Sequence, residues 1–173
     1  MCIVFSHRWL AEPGDPRGYA IVPAMFIEAV EQRVRLVRPR SFAGLMTLYA
    51  SNHVLLRQLL GNLRSLPSRF VSTSPTDLSV HVILSERSRY TTTLHMTYWF
   101  ERRGLVLNDP DLLLRIYHDA RLAEAVSCSA QPQYAALKDL LLPGASGLTR
   151  RWSLNIFLNK WLGYCLDHRH RFA

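Results

Sequence analysis

Downstream of Ser41 the residues Leu45, Leu48, Tyr49, Asn52, Leu56, Leu59, Leu60 and Leu63 return in steps of three and four, the period that lines one face of an α-helix. Ser41 supplies an N-cap hydroxyl, and Gly61 and Pro67 are stop signals, so a helix is predicted over residues 42–63. The period then changes to two. Val80, Val82 and Leu84 alternate with Ser79, His81 and Ile83, and Tyr90, Thr92, Leu94, Met96 and Tyr98 alternate with Arg89, Thr91, Thr93, His95 and Thr97. Leu112 to His118 and Leu122 to Cys128 read as two further strands. A second helix is predicted over residues 149–168, with Thr149 as N-cap and Leu154, Phe157, Leu158, Trp161, Leu162 and Cys165 as its apolar stripe. Gly163 within it costs about 1 kcal/mol relative to alanine, which predicts close approach of another element there.

These elements predict an α+β domain: an antiparallel sheet of about four strands packed against N-terminal and C-terminal helices. Parity constrains the first hairpin. Pairing Leu84 with Tyr90, Val82 with Thr92 and Val80 with Leu94 keeps the apolar sets on one face and calls for a connection of odd length, with His81 facing Thr93. Two regions stand apart. Residues 1–33 carry the turn-rich Pro13-Gly14-Asp15-Pro16-Arg17-Gly18 and no pattern that builds a core, although 23–36 has one short helical period. A weak helix is expected around Tyr134–Leu142.

Composition adds little about fold and more about partners. The 173 residues are one domain's worth, and 49% hydrophobic residues are enough for a core. The longest apolar runs fall short of a membrane span, and the N-terminal run is too short for a signal segment. The formal charge is +8; of 21 basic residues only Lys138 and Lys160 are lysine, leaving 19 arginines. That excess follows either from codon composition or from an anionic partner. Cys2, Cys128 and Cys165 have no metal-binding or paired spacing and fit free thiols in a reducing cytoplasm.

The residue types that carry chemistry concentrate in two places: Arg89, Tyr90 and Thr91, then Arg115, Tyr117, His118, Asp119 and Glu124. Alternation puts Arg115, Tyr117 and Asp119 on one face, where they suit a phosphate or carboxylate; the competing reading is an internal salt bridge from Arg89 or Arg115 to Asp119 or Glu124. His118 falls on the apolar side, as a core histidine bonded to a carbonyl. His168 and His170 read as a solvated tail, and His81 and His95 as a cross-hairpin pair short of a third metal ligand, so no metal and no cofactor are expected. Nucleophile elbows and phosphate-binding glycine loops are absent from the sequence. Arg150, Arg151, Lys160, Arg169 and Arg171 with Tyr98, Trp99 and Phe100 keep nucleic acid as an alternative partner, although Tyr98 belongs to the inward face.

Four blocks, in this order, carry a resemblance. They are Phe42, Met46, Asn52 and Leu55–Leu60; Ser88–Thr92; Leu114–Ala120 with Ala123-Glu124; and Asn155, Phe157-Leu158, Trp161-Leu162 and Tyr164–Leu166 with His168. Together they resemble the YqiB-like family of bacterial proteins, a small cytoplasmic domain of about 140–150 residues with no established activity, so the likeness implies no catalytic residue or cofactor. It divides the chain into 34–173, a single YqiB-like domain, and 1–33, an extension outside the family for which a mis-assigned start is favoured. The functional expectation is a non-catalytic binding or regulatory module for an anionic ligand or protein partner around Arg89, Arg115, Tyr117 and Asp119. The alternatives are a small enzyme on a phosphorylated or nucleotide-like substrate, with His118 and Asp119 as acid and base, and a nucleic-acid-binding protein.

Overall fold

A computed structural model describes residues 40–102, 105–128 and 147–172. The expectations for residues 1–33, for 23–36 and for Tyr134–Leu142 lie outside them. Helix α1 (Phe42–Leu60) is followed by β1 (Arg69–Thr73), β2 (Val80–Arg87), β3 (Thr91–Arg102), β4 (Leu105–Tyr117) and β5 (Leu122–Cys128), then α2 (Gly147–Asp167) and β6 (Arg171–Phe172). Helix α1 starts as its sequence predicts: Ser41 is extended and its Oγ accepts from the Gly44 N–H at 3.0 Å. It ends at Gly61, whose φ of 74° suits glycine and whose N–H donates to the Arg57 carbonyl at 3.0 Å. Helix α2 begins at Gly147, two residues before the expected cap at Thr149.

All neighbouring strands pair antiparallel in one sheet of order β5-β4-β3-β2-β1-β6. Both helices pack on one face, where Val80, Val82, Leu94, Met96, Leu112, Leu114 and Ile116 meet Leu56, Leu158 and Leu162, all fully buried; each such side chain contributes roughly 1.5–3 kcal/mol. Trp161 and Leu158 are buried as expected, Trp161 with its ring centroid 5.4 Å from that of Tyr98. Gly163 departs from expectation: a Cβ there would meet nothing within 4 Å.

The α+β class holds, with six strands instead of about four. Strand β1 was missed because only Phe70 and Ser72 of its five residues are buried, between turn-forming residues on both sides; β6 has only two residues. Strand β4 reaches back through Asn108-Asp109-Pro110, which reads as a turn. There the pairing jumps from Thr97↔Asp111 to Trp99↔Asn108, a bulge that accommodates proline in a strand.

The hairpin register is corrected by four residues. Val80 pairs with Tyr98, Val82 with Met96 and Leu84 with Leu94, and His81 faces Thr97. Faces are as parity requires, yet the connection is the two residues Arg89 and Tyr90, with the Ser88 N–H donating to the Thr91 carbonyl at 2.8 Å. A bulge at Ser85 reconciles the two, because beyond it Glu86 pairs with Thr93 and Arg87 with Thr92. The bulge turns Arg87 toward the helix side.

Polar side chains fasten the helices to the sheet. The Asn155 amide accepts from the Ala125 N–H at 2.8 Å and donates to the Ala125 carbonyl at 3.2 Å, so it pairs with edge strand β5 as another strand would. Asn52 donates to Asn155 at 3.2 Å and accepts from Asn159 at 2.8 Å, all three buried between the helices. After α2 the chain reverses through Arg169 at φ 56°, with the His170 N–H on the Cys165 carbonyl and the Arg169 N–H on the Leu166 carbonyl. This is a Schellman turn with arginine where glycine is usual.

Candidate functional site

Two hairpin connections meet at one end of the sheet. The β2–β3 turn at Arg89 and Tyr90 is tied to the β4–β5 turn by the His118 N–H, which donates to the Tyr90 carbonyl at 2.9 Å. His118 continues the inward parity of Leu114 and Ile116, and its Nε2 lies 2.8 Å from the Thr92 hydroxyl, not on a carbonyl. Helix α1 brings His53 and Arg57, one turn apart, to the same end, and the chain after α1 adds Arg64, whose guanidinium donates to the Arg89 carbonyl at 3.5 Å. Arg87, aimed by the Ser85 bulge, donates to the Leu66 carbonyl. Arg121 closes the β4–β5 turn at φ 54°, a conformation in which glycine or asparagine is usual.

These groups act on one another. Burial, then the charges of Arg57, His118 and Arg121, hold the His53 imidazole below its ordinary value. Burial, then Arg64 and Arg87, do the same to His118, with the Asp119 carboxylate opposing them. His53 is only 9% exposed. The four arginines are exposed. Cations thus outnumber anions among the groups that act on the two histidines, and an electropositive surface of this kind attracts anions.

The sequence-derived residues divide. Arg89, Tyr90, Thr91, His118 and Asp119 lie on the two turns of this end; Arg89 stands over the Tyr90 ring at 5.1 Å, and the Thr91 hydroxyl meets the Ser88 hydroxyl at 2.7 Å. Arg115, Tyr117 and Glu124 lie in the strands. The Glu124 carboxylate accepts from the Tyr49 and Tyr117 hydroxyls, both at 2.7 Å. Burial, then Glu124, raises the pKa of each tyrosine above its ordinary value, so both stay protonated donors. The anticipated salt bridge to Glu124 or Asp119 is not formed among the described residues; tyrosines take the Glu124 oxygens instead. Sequence reasoning missed His53, Arg57 and Arg64; Arg87, Thr92 and Arg121 lie within or beside the two segments it singled out but not among its site residues. His53 had a signal: an ionisable ring on the stripe of Tyr49, Asn52 and Leu56.

The opposite end holds a closed polar group. Asp77 Oδ2 accepts from the Tyr98 hydroxyl at 2.7 Å and lies 3.0 Å from His170 Nε2, while His170 Nδ1 lies 3.1 Å from Ser72 Oγ. Burial alone would raise Asp77, but the bonds from His170, Tyr98 and the Leu78 N–H outweigh it and hold the carboxyl below its ordinary value. His170 is therefore no solvated tail residue; it is 5% exposed. The order serine, histidine, aspartate is that of a hydrolytic triad, yet Ser72 is fully buried and no substrate carbonyl reaches it. The group latches β6 to β1. His81 stacks on Trp99 at 4.0 Å and His95 lies 3.4 Å from Asp111, so the expected histidine pair does not meet. Among the described residues no group of three or more His, Cys, Asp or Glu is arranged to hold a metal ion, and no helix is long and apolar enough to cross a membrane.

Comparison with known proteins agrees with the four sequence blocks. The chain is 30% identical over 134 residues to the uncharacterized protein YqiB of Escherichia coli K12, a match that covers 73% of this chain and 89% of that protein. The YqiB proteins of E. coli O6:H1 and O157:H7 match to the same extent. No solved structure matches. The model of the protein family of unknown function DUF1249 matches residues 55–171, a span that runs from α1 through β6 and takes in both ends of the sheet, and the chain belongs to that family.

Proposed function

We propose that this protein is a non-catalytic binding module whose anionic ligand, or the anionic group of a protein partner, docks where the two hairpin turns meet α1. One observation carries the reading: the two turns join through the His118 N–H and the Tyr90 carbonyl, and the exposed Arg57, Arg64, Arg87 and Arg121 act electrostatically on His53 and His118, opposed at His118 by Asp119. Charges that repel one another cost stability. A ligand that neutralises them recovers it. The geometry of His118 supports binding over acid–base work, because its Nε2 is held by Thr92 and Asp119 is exposed and makes no hydrogen bond to it. Of the residues the sequence singles out, Arg89 and Tyr90 fit as a flank that covers the organic part of a ligand, while Arg115, Tyr117 and Glu124 fit a supporting network.

A thermal-shift screen with nucleotides and phosphorylated metabolites tests the reading, since a ligand selective for the native state raises the midpoint. The expected result is a rise with anionic compounds that is lost in Arg57→Ala and Arg121→Ala. Equal shifts in the wild type and both variants rule this location out.

A further inference from the structure

We propose that the face of the sheet turned away from the helices binds single-stranded nucleic acid, with one base stacked on the open side of Trp99 and its hydrogen-bonding edge toward Asp111 and Asn108. This goes beyond the anion-binding reading and concerns a different surface.

Strand parity builds the platform. Both helices pack on the side of Val80, Met96, Tyr98 and Leu112, so the intervening His81, Thr97, Trp99 and Asp111 project from the other side, where among the described residues no element packs. The register sets Val71 opposite His81, His81 opposite Thr97, Thr97 opposite Asp111 and Trp99 opposite Asn108, and facing residues of a pair lie within roughly 5 Å of one another. The His81 and Trp99 rings are stacked, with centroids 4.0 Å apart and an interplanar angle of 15°. The imidazole therefore holds the indole from one side. Trp99 is still 39% exposed, and with one side covered by His81 that area belongs to its other side and its edge. Val71, also exposed, extends the strip across β1.

The groups around the ring suit a base there and a phosphate elsewhere. The bulge at Asn108-Asp109-Pro110 lies between Trp99 and Asp111, and bulges re-aim the side chains beside them. The Asp111 carboxylate is part exposed, 3.4 Å from His95 Nδ1. It accepts the amino group of a base and repels a phosphodiester. Asn108 is exposed opposite Trp99 and offers a donor and an acceptor. At the far end of the strip Arg69, exposed, shares the face of Val71 two residues away, roughly 7 Å along β1; the exposed Glu86 lies beyond the Ser85 bulge. The nucleic-acid backbone is therefore directed from Trp99 toward Arg69, and the chain's net charge of +8 draws it in. A small-molecule site encloses most of its ligand. A ring on an open sheet engages one base face and depends on repeated contacts along a strand, so the platform fits a strand and not a free nucleotide.

Fluorescence anisotropy of the full chain with labelled RNA strands of about twelve nucleotides tests the proposal. Oligocytidine is expected to bind, with an affinity that falls as salt rises. Oligouridine, which lacks the amino group that Asp111 accepts, is expected to bind more weakly, and an RNA duplex and free cytidine monophosphate more weakly still. Trp99→Ala is expected to weaken oligocytidine binding about tenfold or more, and Trp99→Phe to recover most of it. Should the alanine variant not fold, the Trp99 indole N–H signal of the wild type, assigned by its loss in Trp99→Phe, is expected to shift as oligocytidine is added. Wild-type affinity in Trp99→Ala, an unmoved Trp99 signal, or failure of every single strand to bind overturns the proposal. Equal affinity for oligocytidine and oligouridine overturns the placement of the base edge against Asp111. Anion binding at the hairpin turns is decided separately by the thermal-shift screen, so the two readings fail independently.

Discussion

The two ends of the sheet use similar residue types in opposite ways. At one end Asp77, His170, Ser72 and Tyr98 satisfy one another and are removed from water. At the other, four exposed arginines act on the buried His53 and the half-buried His118, and the Asp119 carboxylate opposes them at His118. A buried ionisable group is tolerated when its partners are inside the fold. Where the partners are lacking, the fold carries a cost that a ligand relieves. The first end therefore reads as a fastening and the second, on the proposed function, as a site, although histidine and a charged neighbour occur in both.

The contrast makes quantitative predictions. Trp161, buried at 4% exposure against Tyr98 beside the closed end, is expected to cost about 3–5 kcal/mol when changed to alanine, read as a lower denaturant midpoint. Asp77→Ala leaves the Tyr98 hydroxyl and the His170 ring buried without their acceptor, at an expected cost of about 3 kcal/mol by the same measurement. Arg57→Ala and Arg64→Ala, at the open end, are expected to stay within about 0.5 kcal/mol of wild type or to stabilise it. A large loss in either arginine variant breaks the comparison.

Acidity distinguishes the ends a second way. His53 and His118, and also His81 through burial alone, are held below the ordinary value of 6.5. The unfolded chain then binds more protons than the fold below that pH, so stability is complete above it and falls as the pH drops beneath it. Asp77 makes its contribution above the ordinary carboxylate value of 3.8 and loses it only as the pH falls through its lower folded value. Unfolding at a series of pH values is expected to show the loss in the first window reduced in His53→Gln and the loss in the second absent in Asp77→Asn.

The smallest expected effects are gains. Gly163→Ala meets open space and is expected to stabilise by about 1 kcal/mol. Arg121→Gly relieves a positive φ and is expected to add up to about 1 kcal/mol while weakening anion binding. Stability and affinity moving in opposite directions at Arg121 is the signature of strain kept for a ligand.

Helix α1, helix α2 and four strands were legible because their apolar periods are long and their caps local. Strands β1 and β6 were not, since each is ordered by a neighbour: five residues with two inward, and two residues held by a Schellman turn and the His170 latch. The register slipped because parity alone does not reveal a bulge, and Ser85 has no side chain that announces one. The site was half legible. Arg89, Tyr90, Thr91, His118 and Asp119 lie on turns the alternation located, whereas Arg57 and Arg64 join them only through the crossing of α1 over that end, and Arg87 only through the bulge at Ser85. Glu124 looked like a ligand or ion-pair residue until Tyr49, seventy-five positions earlier, supplied its partner.

The most direct measurement is side-chain histidine NMR during a titration with inorganic phosphate. The account predicts that the His53 and His118 imidazole signals move together and saturate, while His170 stays fixed. Unmoved His53 and His118 signals, or a response centred on His170, would contradict it.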